Sequence, residues 1–183
     1  MGMTLTQRVA LGVALAGGAV GTFTPVSDDL MEHITIFEKR ALIPYRDPVG
    51  IWTVCSGLTN AAIPGFVKPG KHYTVQECKA AEKRHGEAVA AALSVQIPYV
   101  RQGMWDALMD FGWNTGVPKL SRSTLVRKLK TGDCYGAASE FQRWVYAGDR
   151  KLPGLVLRRG WEHQRFVAEC GPWLRDRPLP GHS

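Results

Sequence analysis

The hydrophobic period of this 183-residue chain changes abruptly near residue 44, and that change limits the fold more than any other feature. Leu30, Ile34, Phe37 and Ala41 recur at helical spacing, so residues 29–40 are predicted to form an amphipathic helix, capped by Asp28 or Asp29 and ended by Pro44. Asp47-Pro48-Val49-Gly50 is turn chemistry, and residues 51–55 are rich in β-branched and aromatic side chains, so a small hairpin follows. Residues 60–73 are a loop broken by Pro and Gly. Thr74-Val75-Gln76-Glu77 then has the capping-box pattern that opens a long helix to about Leu93. Further helices are predicted over 104–113, 121–130, 133–146 and 156–170, the last after a break at Pro153-Gly154. Residues 171–183, with Pro172, Pro178, Pro180 and Gly181, read as a tail. A mostly helical chain with one small sheet near its start is an α+β arrangement, with a cleft expected between a sheet lobe and a helical lobe.

Upstream of this domain, the 19 residues between Arg8 and Asp28 carry no charge. As a helix they would reach roughly 28 Å at about 1.5 Å per residue, which just spans the hydrocarbon of a bilayer. Yet residues 9–23 hold four Gly and four Ala, which gain little from lipid. Three readings are open. A cleaved signal peptide has only Arg8 as its basic flank and lacks a good small-x-small site before Asp28. A stable span is weakened by the Gly and Ala content. An uncleaved, weakly held export segment, able to leave the bilayer later, fits the composition best. Gly17 and Gly21 have the spacing of helix-pairing glycines, but low hydrophobicity accounts for them equally. All three readings direct the remainder to an oxidising compartment, which suits four Cys with three possible pairings.

Net charge is +7, and all of it lies in one half. Residues 1–118 hold ten basic and ten acidic side chains; residues 119–177 hold thirteen basic against six acidic. Such a basic half suits a polyanion: nucleic acid, an anionic membrane face or a cell-wall polymer. With 45% hydrophobic residues and six Trp, the composition excludes a disordered or collagenous chain. No Cys or His pair shows zinc spacing, and His33, His72, His85, His163 and His182 are scattered, so no metal and no cofactor are expected.

One constellation carries chemistry. Glu38 ends the first predicted helix, Asp47 follows in the turn, and Thr53 lies on the strand. Glycosidic cleavage needs one protonated carboxyl for the leaving oxygen and one carboxylate to help a water attack. Packing near Phe37 and Trp52 would favour a protonated Glu38, while a turn aspartate in water stays ionised. Thr53 would hold the water. For an inverting enzyme of this kind the two carboxyls stand roughly 6.5–9.5 Å apart. Tyr45 and Arg46 flank the turn and are candidates to contact substrate. Trp105, Trp113, Trp144 and Trp161 are expected in the core.

The run EKRALIPYRDPVGIWTVCSGLTN resembles the active-site segment of phage-type lysozymes (glycoside hydrolase family 24), the endolysins that cut peptidoglycan glycan strands. The likeness continues in order through DALMDFGWNTG (106–116), SRSTLVRKLKTGD (121–133) and AASEFQRWVYAGDRKLPGLVLRRGWE (137–162). It implies a lysozyme-like domain over 28–170. It also implies an N-acetylmuramidase that hydrolyses the β-1,4 bond between N-acetylmuramic acid and N-acetylglucosamine and lyses the host cell. The implied catalytic residues are Glu38, Asp47 and Thr53, and Phe111 the cleft aromatic. The implied disulfides are Cys55–Cys78 and Cys134–Cys170.

The partner expected on this basis is peptidoglycan rather than nucleic acid, and the protein is expected to act as a monomer. Residues 1–27 resemble signal-arrest-release segments, which place the protein on the periplasmic side of the inner membrane, tethered through residues 9–27, until it is released. Two departures bear on this. Cys55-Ser56-Gly57-Leu58 stands where the family usually has Gly-x-Gly-His, and residues 1–54 contain no Cys, so activation cannot proceed by thiol exchange with the anchor. The rival readings are a lytic transglycosylase, which needs only the acid, and a non-catalytic wall- or nucleic-acid-binding protein that uses the basic face.

Overall fold

The computed structural model describes residues 24–47, 50–97 and 99–176. Of the anchor expected over 9–27, residues 9–23 lie outside them, as do residues 177–183. The described residues divide into two compact units, Val26–Ala88, and residues 89–176 with residues 24–25.

The first unit opens with helix α1, Asp28–Glu38. Its cap is Ser27 rather than either aspartate: the Ser27 hydroxyl oxygen accepts the Leu30 N–H at 3.1 Å. Asp28 and Asp29 instead fill the first turn, where carboxylates complement the positive end of the helix. The helix stops before the predicted end. Lys39 turns left-handed (φ 49°) and its N–H returns to the Thr35 carbonyl at 3.0 Å. Ala41 therefore opens a strand.

Strands β1 (Ala41–Arg46), β2 (Trp52–Cys55) and β3 (Leu58–Thr59) form an antiparallel sheet in that order. Pro44, expected to end the helix, lies inside β1. The register there slips between the pairs Ala41↔Cys55 and Tyr45↔Thr53. Proline has no N–H to give to a ladder, so a break in the ladder is where a strand tolerates it.

Side chains organise the loop that follows. Asn60 exchanges hydrogen bonds with the Val67 main chain at 3.1 and 2.8 Å. The Tyr73 hydroxyl donates to the Phe66 carbonyl and accepts the Lys68 N–H at 3.0 Å. Helix α2, Val75–Ser94, begins at the expected capping box: Glu77 N–H donates to Thr74 Oγ1 at 3.1 Å, and Thr74 N–H to Glu77 Oε2 at 2.7 Å. The Cys55 and Cys78 sulfurs are bonded, joining β2 to this helix.

In the second unit, helix α3 (Gln102–Thr115) is buried throughout Gly103–Gly112. It packs against α7 (Pro153–Ala168). Ion pairs join the two: Arg158 grips Asp110 with hydrogen bonds of 2.9 and 2.8 Å, and Arg165 reaches Asp106 at 2.7 Å. Part of the basic surplus is thus neutralised internally.

Between these helices lie α4 (Val117–Ser121), α5 (Thr124–Thr131) and α6 (Cys134–Glu140), then a 3-10 turn at Phe141–Arg143. The single helix predicted over 121–130 is split because the Ser123 hydroxyl accepts the Val126 N–H and starts a new one. The helix predicted over 133–146 stops early. Tyr146–Ala147 (β4) and Arg150–Lys151 (β5) form a hairpin around Gly148 (φ 58°) and Asp149, since glycine readily supplies a left-handed turn residue. Helix α7 begins at Pro153 itself, because the missing N–H of proline is no loss in a first turn.

Residues 171–176 are not tail. They belong to helix α8, Cys170–Asp176, which buries Trp173 and is joined to α6 through Cys134–Cys170. The Trp173 indole donates to the Tyr99 carbonyl at 2.7 Å. Among the described residues, no helix is long and apolar enough to cross a membrane.

Candidate active site

Glu38 is the last residue of α1, and the left-handed Lys39 directly after it turns the main chain away toward β1. Its carboxyl lies against the β2–β3 turn: a Cβ built on Gly57 would stand 2.9 Å from Glu38 Oε2 and 3.2 Å from its Cδ. Gly57 has a φ of 79°, a backbone region that favours glycine. Both the turn and the room for the carboxyl therefore require a residue without Cβ. Cys55 shares the left-handed region (φ 55°), at the place where the resembled motif carries its first Gly.

Asp47 shapes the turn that presents it. Its N–H donates to the Ile51 carbonyl at 3.0 Å, and its Oδ1 accepts the Ile51 N–H at 2.8 Å. The Gly50 N–H returns to the Asp47 carbonyl at 2.9 Å. Thr53 is buried, and its hydroxyl donates to the Ile51 carbonyl at 3.1 Å. A hydroxyl that donates in this way keeps lone pairs with which to accept a hydrogen bond from water.

Tyr45 ties these groups together. It lies directly across the ladder from Thr53, so the two side chains share one face of the sheet. Arg46 and Trp52 form the next pair and take the other face, with the guanidinium 4.7 Å from the indole centroid. The Tyr45 phenol is pushed above its ordinary pKa, first by burial and then by the negative charges of Glu38 and Asp47. Both carboxyls thus act on one phenol, which stays protonated and able to donate. Tyr45 remains 41% exposed and so accessible to a ligand.

Phe111 lies in the other unit. It is completely buried in the second unit, edge-on to Phe141 and Trp144 with ring centroids 5.5 and 5.1 Å away. The Arg159 guanidinium lies 4.6 Å from its ring. A ring with no exposed face cannot stack on a sugar, so Phe111 is a core residue and the expected cleft aromatic is corrected.

A cavity of about 750 Å³ lies along α1 and α2, lined among others by Val26, Met31, Ile36, Arg40, Lys79 and Glu82. Neither Glu38, Asp47 nor Thr53 lines it. Among the described residues, no group of three or more His, Cys, Asp or Glu side chains is placed to hold a metal ion.

Sequence reasoning missed the buried carboxylate that joins Arg40 to the β2–β3 turn. Glu82, fully buried on α2, accepts from Arg40 Nε at 3.0 Å and Nη2 at 2.6 Å, and from the Ser56 N–H at 3.1 Å. Its signal was a carboxylate four residues after Cys78, on the same buried face of the helix.

Known proteins resemble this chain over most of its length. The family model for phage lysozyme matches residues 35–162. The SAR-endolysin of Enterobacteria phage PA-2 is 36% identical over 171 residues, covering 88% of this chain and 96% of that one. The SAR-endolysin of Escherichia phage Mu is 37% identical over 155 residues, covering 84% and 85%. A solved structure of a P22 lysozyme mutant superposes with a TM-score of 0.67 at 25% identity, covering 81% of this chain and 99% of the other.

Proposed function

We propose a catalytic assignment on this premise: the chain belongs to the phage lysozyme family and is an endolysin of muramidase type that acts on peptidoglycan. In our reading Glu38 is the general acid. It gives its proton to the glycosidic oxygen as the bond to the anomeric carbon breaks. Asp47 takes a proton from a water that Thr53 Oγ1 orients toward the opposite face of that carbon. The product anomer is inverted, and Glu38 ends ionised and Asp47 protonated. Tyr45, still protonated, donates a hydrogen bond to the bound glycan.

The observation that carries this reading is the seat of the Glu38 carboxyl against Gly57 of the β2–β3 turn, with Asp47 in the β1–β2 turn of the same sheet and Thr53 across the ladder from Tyr45. Glu38→Gln should abolish turbidity loss of permeabilised cells while the protein still folds and binds wall; retained lysis overturns the assignment. Mass spectrometry of digested wall should find hydrated reducing ends. Anhydro-sugars in their place would mean a transglycosylase.

Kinship with SAR-endolysins implies export to the periplasm. Tethering through residues 9–27, with later release, is our proposal. It is supported by the Gly- and Ala-rich, uncharged composition of that segment. Replacing Gly17 and Gly18 with Leu should keep the protein in the membrane fraction and delay lysis. The exposed bases Lys119, Arg122, Arg127, Lys130, Arg143, Arg150 and Lys151 are proposed to hold the anionic wall, with the enzyme acting as a monomer.

A further inference from the structure

We infer that Glu82 is a positioning residue for the acid: it locks the end of α1 to the β2–β3 turn and so sets where the Glu38 carboxyl stands. This rests on the assignment of Glu38 as the acid.

The chain gives Glu38 two neighbours by which it can be placed. One is Arg40, two residues on, which enters β1 after the left-handed Lys39. The other is Gly57, on whose bare Cα the carboxyl rests. Glu82 holds both supports at once. One carboxylate oxygen accepts from Arg40 Nε at 3.0 Å and from the Ser56 N–H at 3.1 Å, and the other accepts from Arg40 Nη2 at 2.6 Å. Ser56 directly precedes Gly57. Arg40 Nη2 also reaches Thr35 Oγ1 at 3.2 Å, within the last turns of α1, so the guanidinium is braced on that side as well.

The Glu82 side chain is 1% exposed and that of Arg40 is 19% exposed, which leaves the fork well shielded from water. A fork of two parallel hydrogen bonds fixes orientation as well as distance, and its donors have no equally good alternative when the carboxylate is removed. The Cys55–Cys78 bridge grips the same turn one helical turn earlier on α2. It holds the turn to the helix even when Glu82 is changed. Loss of Glu82 should therefore loosen the Glu38 carboxyl without unfolding the sheet.

Catalysis is sensitive to such loosening, because a misplacement of about 1 Å costs on the order of 10²-fold in rate. Substrate affinity should change little, since Glu82 is fully buried and its carboxylate is occupied by Arg40 and the Ser56 N–H.

The test compares Glu82→Ala, Glu82→Gln and Arg40→Ala in the disulfide-bonded protein. Rates are measured on solubilised glycan strands, with kcat and KM separated, alongside Tm. Glu82→Ala is expected to stay folded, with KM within about twofold and kcat down on the order of 10²-fold. Glu82→Gln keeps an acceptor for the Ser56 N–H and should recover part of kcat. Arg40→Ala combined with Glu82→Ala should be no worse than Glu82→Ala alone, as expected of one coupled unit.

Wild-type kcat in a folded Glu82→Ala, or a loss confined to KM, overturns the inference. So does a loss that merely follows the folded fraction. The two levels fail separately. Lysis retained by Glu38→Gln defeats the assignment of the acid, whereas an inactive Glu38→Gln beside a fully active Glu82→Ala defeats only the positioning role.

Discussion

The carboxyl of Glu38 rests on the Cα of Gly57, close enough that a Cβ there would approach Oε2 to 2.9 Å. The turn of a hairpin is thereby the seat of the acid. Gly57→Ala should both strain the left-handed turn, at about 1–2 kcal/mol, and displace the carboxyl. Activity should fall by roughly tenfold or more, out of proportion to a modest drop in Tm. Unchanged kcat would mean that Glu38 moves aside without consequence.

Asp47 has a structural and a chemical duty that one substitution separates. An Asn at this position can still accept the Ile51 N–H, which Asp47 Oδ1 now accepts at 2.8 Å. Asp47→Asn should therefore keep Tm nearly unchanged while activity falls by about 10²–10⁴-fold, the usual contribution of a general base. Asp47→Ala should lose the same activity and some stability too. Thermal melts beside lysis assays read both effects.

Phe111 lies in the core between Phe141, Trp144 and Arg159. Phe111→Ala should cost about 3–5 kcal/mol of stability, as deletion of a buried ring does. At temperatures where the variant is still folded, KM should match the parent. A weakened KM without a change in Tm would restore its role as a cleft aromatic.

Glu162, fully buried on α7, has a pKa raised well above 4.5, first by burial and next by the charge of Asp110; Arg159, 2.9 Å away, offsets this in part. A carboxyl with a raised folded-state pKa stabilises fully below its unfolded value. That contribution is lost as pH rises toward the folded one. Wild-type Tm should therefore decline as pH increases above about 4.5, through this group. Glu162→Gln mimics the protonated acid and cannot ionise. It should flatten the decline and melt no lower than wild type near neutral pH. Equal slopes for the two proteins would show that Glu162 does not titrate in this way.

Most of what the sequence determined by itself is local. The helix before residue 39, the hairpin after it and the capping box at Thr74–Glu77 depend on residues a few positions apart, whose hydrogen bonds and turn preferences reside in the chain itself. The spacing of Glu38, Asp47 and Thr53 is legible for the same reason: one helix end, one turn and one strand carry all three. Boundaries set by a single atom were less legible, such as the Ser27 and Ser123 hydroxyls that cap helices or the Pro44 that a break in β1 tolerates.

Tertiary structure alone decided burial and long-range polar contact. Phe111 became core rather than cleft because helices from distant parts of the chain close around it. Glu82 meets Arg40 across 42 residues and the Ser56 N–H across 26. No local pattern encodes such a meeting, because a buried carboxylate is stable only where donors from other segments arrive to satisfy it.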